Sequence, residues 1–196
     1  MRDAKIHRKT QETEITISLE IDGKGKAVLD SSCPFLDHML ELVARHGYFD
    51  LDVSCKGDTA VDYHHCVEDT GLVLGKAFRQ ALGDRAGIKR YGSLLLPMDE
   101  SLIAAAVDLD GRGALFFDVP FLSQKTGDFD VELCEEFFKA FTREAGATVH
   151  LKRLAGGNTH HLIEAVFKSF ARALSTACEL DPRSDGAIPS SKGTLL

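Results

Sequence analysis

The chain repeats part of its own sequence, and the clearest mark of the repeat is the pattern His-His-x-x-Glu. The pattern occurs at residues 64–68 and again at residues 160–164, 96 positions later, and it takes four of the eight histidines. Residues three and four apart on a helix share a face, whereas adjacent residues point about 100° apart. One histidine of each pair can therefore bind a metal together with its own glutamate, while the other is free to serve a second ion. Two such helices predict a two-metal site of imidazole and carboxylate ligands.

The repeat extends beyond the histidines. Residues 19–25 and 107–113 both read as an alternating strand that runs into Asp-Gly-basic-Gly, which predicts a β-hairpin in each copy. A short strand, a helix, a further strand and the motif helix follow in both. We therefore expect an α+β protein of one domain, built from two repeats at about 5–90 and 91–180 that are related by a pseudo-twofold. Each sheet is expected to be covered by helices on one face, and residues 181–196 form a C-terminal tail.

Helix boundaries are predicted from the ordinary start signals. The first helix is expected from Pro34 to about His46, with Ser32 as its cap, and its counterpart at about 130–146. Asp62 and Asn158 are the expected caps of the two motif helices. The strands before those helices are expected at about 48–56 and 147–154.

Composition narrows the class of protein. A hydrophobic content of 44% is ordinary for a globular chain, and the net charge of −7 argues against nucleic acid or an anionic membrane as the main partner. No apolar run approaches the ~20 residues that span a bilayer, and the N-terminus lacks the apolar stretch of a signal peptide, so we expect a cytoplasmic protein. The five dispersed cysteines contain no Cys-x-x-Cys, which indicates neither a disulfide framework nor a thiolate zinc site.

Two further metal ligands follow from the spacing of the repeat. His38 lies 26 residues before His64, and Glu136 lies 24 residues before His160, at the matching place. We expect one ion to take His38, His65, Glu164 and either His160 or His161. The second ion would take Glu136, His64, Glu68 and the remaining histidine. Such ligands suit Mn, Fe, Ni, Co or Zn and argue against calcium and against a cysteine-bound structural zinc.

Three segments resemble the signatures of the imidazoleglycerol-phosphate dehydratase family. They are Phe-Leu-Asp-His-Met-Leu at 35–40, Asp-Tyr-His-His-Cys-Val-Glu-Asp-Thr-Gly at 62–71 and Gly-Asn-Thr-His-His-Leu-Ile-Glu-Ala at 157–165. The resemblance extends from about Arg8 to Lys192. It implies a lyase of histidine biosynthesis that dehydrates imidazole glycerol phosphate to imidazole acetol phosphate. It also implies a duplicated α+β fold, two Mn²⁺ ions per active site, and self-association into a 24-subunit shell with sites between subunits.

The same resemblance implies roles for individual residues. From the chemistry of this dehydration we expect Glu12 to be the acid and base, acting with the motif ligands His64, His65, Glu68, His160, His161 and Glu164, while the two ions stabilise the substrate as an imidazolate. The resemblance makes Glu12 a substrate contact as well, and the residues that would hold chiefly the phosphate are Arg90, Arg112, Lys168, Ser190 and Lys192. One position departs from the pattern, because many family members have histidine where this chain has Glu136.

Two other functions are compatible with a two-metal site. A dinuclear metallohydrolase such as a phosphatase would use a metal-bound hydroxide, but its usual Asp-rich ligand set is missing from the sequence. A scaffold protein would use the histidines only to join subunits. Release of inorganic phosphate would identify the first, and loss of assembly on chelation without any turnover would identify the second.

Overall fold

A computed structural model describes residues 1–195, and these residues contain ten strands and four helices. In the first half they are β1 Asp3–Lys9, β2 Thr13–Glu20, β3 Ala27–Asp30, α1 Pro34–Gly47, β4 Asp50–Gly57 and α2 His64–Leu82. In the second half they are β5 Tyr91–Met98, β6 Ser101–Asp108, β7 Ala114–Asp118, β8 Lys125–Thr126, β9 Phe129–Asp130, α3 Glu132–Ala145, β10 Thr148–Ala155 and α4 Thr159–Cys178.

The two halves build the same mixed sheet. The strand order is β1-β2-β4-β3 in the first half and β5-β6-β10-β7 in the second, and in both the last pair is parallel while the others are antiparallel. Strands β2 and β6 correspond at an offset of 88 residues, and β4 and β10 correspond at an offset of 98. The α+β class and the duplicated half that the sequence predicts are therefore confirmed.

The two hairpins predicted at Asp-Gly-basic-Gly are wrong. Strand β4 lies between β2 and β3, and β10 lies between β6 and β7, so neither turn joins neighbouring strands. The turn in the first half wraps around the start of β4, where the Asp50 carboxylate accepts the backbone N–H groups of Lys24 and Lys26 at 2.7 and 2.9 Å. Strand β4 pairs on both of its edges and buries alternate residues on one face, and a local turn signal does not reveal which strands become its neighbours. The actual hairpins are β1–β2 and β5–β6.

The four helices lie between the two sheets. Helix α1 packs on α4 and α2 packs on α3, so each half covers its sheet with helices and buries them against the other half. Gly71 and Gly75 of α2 allow this approach, since a Cβ at either would lie 2.5 Å from a backbone oxygen of α3. Buried aromatic rings fill the space among the helices, chiefly Phe78, Phe137, Phe138, Phe141, Phe167 and Phe170.

The predicted helix starts are partly correct. Asn158 caps α4, because its side chain accepts the N–H groups of His160 and His161. Asp62 accepts the N–H of His64 at 2.7 Å, although the capping position itself belongs to Tyr63. Ser32 does not cap α1: it adopts a left-handed backbone, and its hydroxyl donates to the carbonyl of Cys55 instead. Helix α1 starts without a side-chain cap, and Pro34 occupies its first turn.

The connector between the halves and the tail are fastened by buried contacts. Arg85 is only 2% exposed, and its guanidinium donates to the carbonyls of Leu109, Ala145 and Leu195. The tail forms turns without a helix or strand as far as Leu195, and an isolated bridge between Ile88 and Leu180 joins its start to the connector. Within residues 1–195, no helix has the length and apolar character needed to cross a bilayer.

Candidate metal centre

Three predicted ligands from distant parts of the chain meet where α1 packs on α4. One ligand atom each from His38, His160 and Glu164 lies within 4.8 Å of the others. His38 Nε2 is 2.8 Å and His160 Nε2 is 3.3 Å from Glu164 Oε1. Phe35 packs edge-on against the His160 ring, with 5.3 Å between ring centroids. The helix packing thus brings together two imidazoles and a carboxylate that are 126 residues apart at most.

Lys168 holds the carboxylate of this cluster in its charged form. Its ammonium donates to Glu164 Oε2 at 2.7 Å from the next turn of α4 and contacts the Met98 sulfur at 3.3 Å. Burial opposes ionisation of Glu164, but the bonds from Lys168 and His38 lower its pKa to about 2. The carboxylate is therefore a charged acceptor at neutral pH, which is the form that binds a cation.

His65 lies in a different environment, at the start of α2. Its Nδ1 is 3.0 Å from both carboxylate oxygens of Asp58, which follows β4. The hydrogen bond to Asp58 raises the pKa of His65. Its Nε2 lies 3.8 Å from Glu12 Oε1, whose side chain is more than half exposed. With Nδ1 occupied by a carboxylate, Nε2 is the nitrogen left to bind another group.

His161 repeats this arrangement with a different partner. Its Nδ1 is 2.9 Å from Glu100 Oε2 at the β5–β6 turn. This hydrogen bond raises the pKa of His161. It is also the largest of the effects that lower the pKa of Glu100 to about 2. Asp99 is 3.8 Å from the same nitrogen. Both motifs therefore contain one histidine that faces a carboxylate through Nδ1.

The remaining predicted ligands lie on α2 and α3. His64 Nε2 is 3.5 Å from Glu68 Oε2, one helical turn away. Glu68 also lies 3.8 Å from the guanidinium of Arg143 on α3. Glu136 accepts from Lys139 at 2.8 Å on its own helix, and within residues 1–195 it forms neither a hydrogen bond nor an ion pair with His64 or Glu68. Arg143 and Lys139 place positive charge beside these two carboxylates.

The residues expected to hold phosphate are divided between two places. Arg90 donates to Asp108 at 2.7 Å and to the carbonyl of Pro189 at 2.9 Å, which fastens the tail beside β6. Arg112 is largely exposed, and its Nε donates to Asp110 at 2.6 Å. The tail places Ser190 and Lys192 near this region, and the Ser190 hydroxyl accepts the Lys192 N–H at 3.2 Å. Lys168 lies instead with Glu164.

Contacts within one chain thus leave the predicted site residues in separate groups. Only His38, His160 and Glu164 form a cluster of the predicted metal ligands, and the structure places His160 rather than His161 beside His38. His65, which was expected with them, faces Asp58. Asp58 and Glu100 were missed by the sequence analysis. A signal for Glu100 did exist, since it lies 88 residues after Glu12, the same offset that relates β2 to β6.

The cluster is suited to a divalent transition metal. Two imidazoles and a charged carboxylate are borderline and hard ligands that such ions accept, and all three converge on one point. The five cysteines are buried elsewhere as free thiols and add no soft ligand.

Comparison with known proteins gives a consistent result. Residues 31–174 match the family model described as imidazoleglycerol-phosphate dehydratase. The chain is 54% identical to the imidazoleglycerol-phosphate dehydratase of Polynucleobacter asymbioticus over 195 residues, which cover 100% of both chains. It is 52% identical to that of Acinetobacter baylyi over 194 residues, 99% of this chain and 96% of the other.

Solved structures agree with the sequence relatives. A crystal structure of imidazoleglycerol-phosphate dehydratase from Staphylococcus aureus matches with a TM-score of 0.83 at 37% identity and covers 91% of this chain and 99% of that one. The enzyme from Pyrococcus furiosus, in complex with (S)-C348, matches with a TM-score of 0.84 at 32% identity and covers 96% and 99%.

Proposed function

The chain belongs to the imidazoleglycerol-phosphate dehydratase family and is a lyase of histidine biosynthesis, and we propose that it dehydrates imidazole glycerol phosphate to imidazole acetol phosphate at a dinuclear metal centre. The observation that supports this proposal most directly is the convergence of His38, His160 and Glu164. Three ligands that meet across a helix interface, with the carboxylate kept charged by Lys168, have the chemistry of a metal site.

We propose that one ion takes His38, His160, Glu164 and His65, and that the other takes His64, Glu68, Glu136 and His161. His65 and His161 would come from neighbouring subunits, because within one chain each faces its own carboxylate partner away from these ligands. The proposed ions are two Mn²⁺ per site; when bound, they would supply positive charge that favours loss of a proton from the imidazole ring of the substrate. Subunits that share such sites would assemble into a closed shell, for which we propose 24 subunits. We propose that this shell lies in the cytoplasm.

The basic residues of this proposal hold the phosphate. Arg112 has an exposed guanidinium on a turn, held at Nε by Asp110, so its terminal nitrogens are free to donate to an anion. Arg90 fastens Pro189, which positions the tail that carries Ser190 and Lys192. Lys168 is next to Glu164 and would serve the part of the substrate closest to the ions.

Glu12 is the proposed acid and base. Its side chain is more than half exposed at the β1–β2 turn, and its Oε1 lies 3.8 Å from His65 Nε2. Glu12 is therefore close to a proposed metal ligand but is not hydrogen-bonded to it. A carboxylate so placed can take the proton from the substrate carbon and return one during ketone formation.

An assay on metal-stripped protein tests the proposal. Imidazole glycerol phosphate is supplied with and without added Mn²⁺, and the ketone and inorganic phosphate are measured in the same samples, whose assembly size is followed by light scattering. We expect ketone only with metal, and no phosphate. Phosphate release would establish the metallohydrolase instead. Metal-dependent assembly without either product would establish the scaffold protein.

A further inference from the structure

We propose that Glu100 is a positioning residue that fixes the ring of His161. In the first half, Asp58 fixes the ring of His65, so Glu12, the counterpart of Glu100, does not have this role. This inference rests on the proposed function, because it assumes that His65 and His161 are metal ligands. It adds a role for Glu100 and Asp58, and it explains why the two halves do not use equivalent carboxylates for the same purpose.

Glu12 and Glu100 occupy the same place in the repeat. Each immediately precedes a long strand, β2 at Thr13–Glu20 or β6 at Ser101–Asp108, and each lies at the turn of an antiparallel hairpin. The offset of 88 residues is the same for the glutamates and for the strands. A duplicated fold without later change would give these two carboxylates the same contacts.

Their contacts differ. Glu100 Oε2 is 2.9 Å from His161 Nδ1, while its Oε1 accepts the N–H of Asn158 at 3.0 Å and the hydroxyl of Ser101 at 3.2 Å. Both oxygens are thus committed, and one of them is held by the residue that caps α4. A carboxylate fixed in this way orients the ring and favours the form in which Nδ1 carries the proton. Nε2 then has a free lone pair that can bind a metal.

In the first half Asp58 makes the corresponding contact. It lies one residue after β4, at 3.0 Å from His65 Nδ1. The matching position after β10, at the offset of 98 residues that relates the two strands, is Gly156, which has no side chain to offer. His161 therefore depends on the hairpin glutamate, whereas His65 has an aspartate of its own.

Because Asp58 contacts His65 Nδ1, the hairpin glutamate of the first half, Glu12, is not needed to orient this histidine. Glu12 Oε1 is 3.8 Å from His65 and faces Nε2, the nitrogen on the side opposite Asp58. It can approach a group bound at Nε2, while Glu100 lies on the Nδ1 side of its histidine. The geometry thus assigns proton transfer to Glu12 and orientation to Glu100.

A cation bound directly by Asp99, Glu100 and His161 is the competing explanation, since ligand atoms of these three residues also lie within 4.8 Å of one another. Asp99 decides between the two. It is a neighbour of Glu100 with 70% of its side chain exposed, and it makes no contact with His161 shorter than 3.8 Å. A direct cation site needs Asp99, whereas the positioning role does not.

The experiment compares Glu100→Ala, Glu100→Gln and the matched control Asp99→Ala. Mn²⁺ is titrated into metal-stripped full-length protein, and the free ion is measured by electron paramagnetic resonance. We expect E100A to weaken binding of one of two ions by about 10- to 100-fold, as loss of an outer carboxylate does at other metal sites. E100Q should recover part of the affinity, because its amide oxygen still accepts from Nδ1. D99A should bind like the wild type.

Each other result is informative. Wild-type affinity in E100A would overturn the inference and leave the proposed function intact. Equal losses in D99A and E100A would establish the cation site in its place. A wild type that binds no Mn²⁺ would overturn both proposals. Thermal unfolding with a chelator shows whether E100A folds, and if it does not, Asp58→Ala applies the same test to His65.

Discussion

At the scale of single residues, the carboxylates around the motif histidines are distinguished by what they are bound to. Glu164 is buried against Lys168 and two imidazoles, Glu100 is held between a helix cap and a ring, and Glu12 is mostly exposed. All three side chains carry the same carboxylate group. Their contacts differ, however, so they differ in how far they can move and how readily they can accept a proton.

Replacing Glu12 by Gln tests the freest of the three. The amide keeps the size of the side chain but cannot accept the carbon-bound proton, so kcat should fall by 10²-fold or more while KM changes little. Steady-state kinetics with saturating Mn²⁺ measures both constants. Glu14→Gln is the control, because Glu14 lies two residues further on, in β2, and pairs with Lys9 at the surface. An unchanged kcat in E12Q would exclude the acid/base role.

Replacing Arg112 by Ala tests the phosphate site. Loss of this exposed guanidinium should raise KM by about 10-fold or more and lower kcat far less. The reason is that Arg112 binds the phosphate group, which is remote from the carbon that reacts. The repeat supplies a control in Lys24→Ala, since Lys24 occupies the same turn position 88 residues earlier. A fall confined to kcat in R112A, or an equal rise of KM in K24A, would contradict the assignment.

At the scale of elements, the interface between α2 and α3 is set by glycine. A Cβ at position 75 would lie 2.5 Å from the carbonyl oxygen of Phe141 and 3.0 Å from the amide nitrogen of Ala145, both of them backbone atoms. Two helices can approach so closely only where one lacks side chains. This contact also sets where His64, Glu68 and Glu136 stand relative to one another.

Gly75→Ala should therefore destabilise the protein, against the usual preference of helices for alanine. We expect a loss of about 1–3 kcal/mol in the free energy of unfolding, typical of overpacking, and chemical denaturation measures it. Gly157→Ala is the control, because a Cβ there would meet only a methyl group of Leu122 at 3.4 Å. A G75A variant as stable as wild type would mean that the helices separate at little cost.

At the scale of the whole molecule, stability depends on buried carboxylates that join distant segments. Asp110 is almost fully buried, and it accepts the backbone N–H of Arg112, the Arg112 guanidinium and the hydroxyl of Thr148 on β10. Burial opposes ionisation, but these donors lower the pKa of Asp110 below its ordinary value of 3.8. The charged form is therefore favoured by folding.

This shift gives a pH dependence whose sign is fixed. A lowered folded-state pKa adds stability that is complete above about pH 4 and disappears as the pH falls through the folded-state value. Asp110→Asn should lower the free energy of unfolding by about 1–3 kcal/mol at pH 7, and the gap to wild type should narrow as the pH falls below about 4. Urea titrations of both proteins in chelator measure this difference. A gap independent of pH would mean that the loss comes from packing.

Much of this architecture could be predicted from the sequence, because periodicity and spacing are local properties. The duplication, the α+β class and helix α1 followed from repeated patterns and from Pro34. The hairpins could not be predicted correctly, since the partner of β2 is β4, 30 residues further on, and a turn motif does not encode that choice. Similarly, only the rotation of α4 against α1 decides that His160 and not His161 meets His38.

Arg85 has a consequence for how the molecule moves. A connector between two repeats is where a hinge would be expected, yet this one is fastened to the second repeat and to the tail. Arg85 ties it to three backbone carbonyls, and the amides of Gly87, Lys89 and Arg90 donate to residues 187, 179 and 177. Its hydrogen-bonded amides should therefore exchange with deuterium as slowly as those of the helices. Because α1 packs on α4 and α2 packs on α3, we also expect the two halves to move as one rigid body. We therefore expect catalysis to proceed without domain closure.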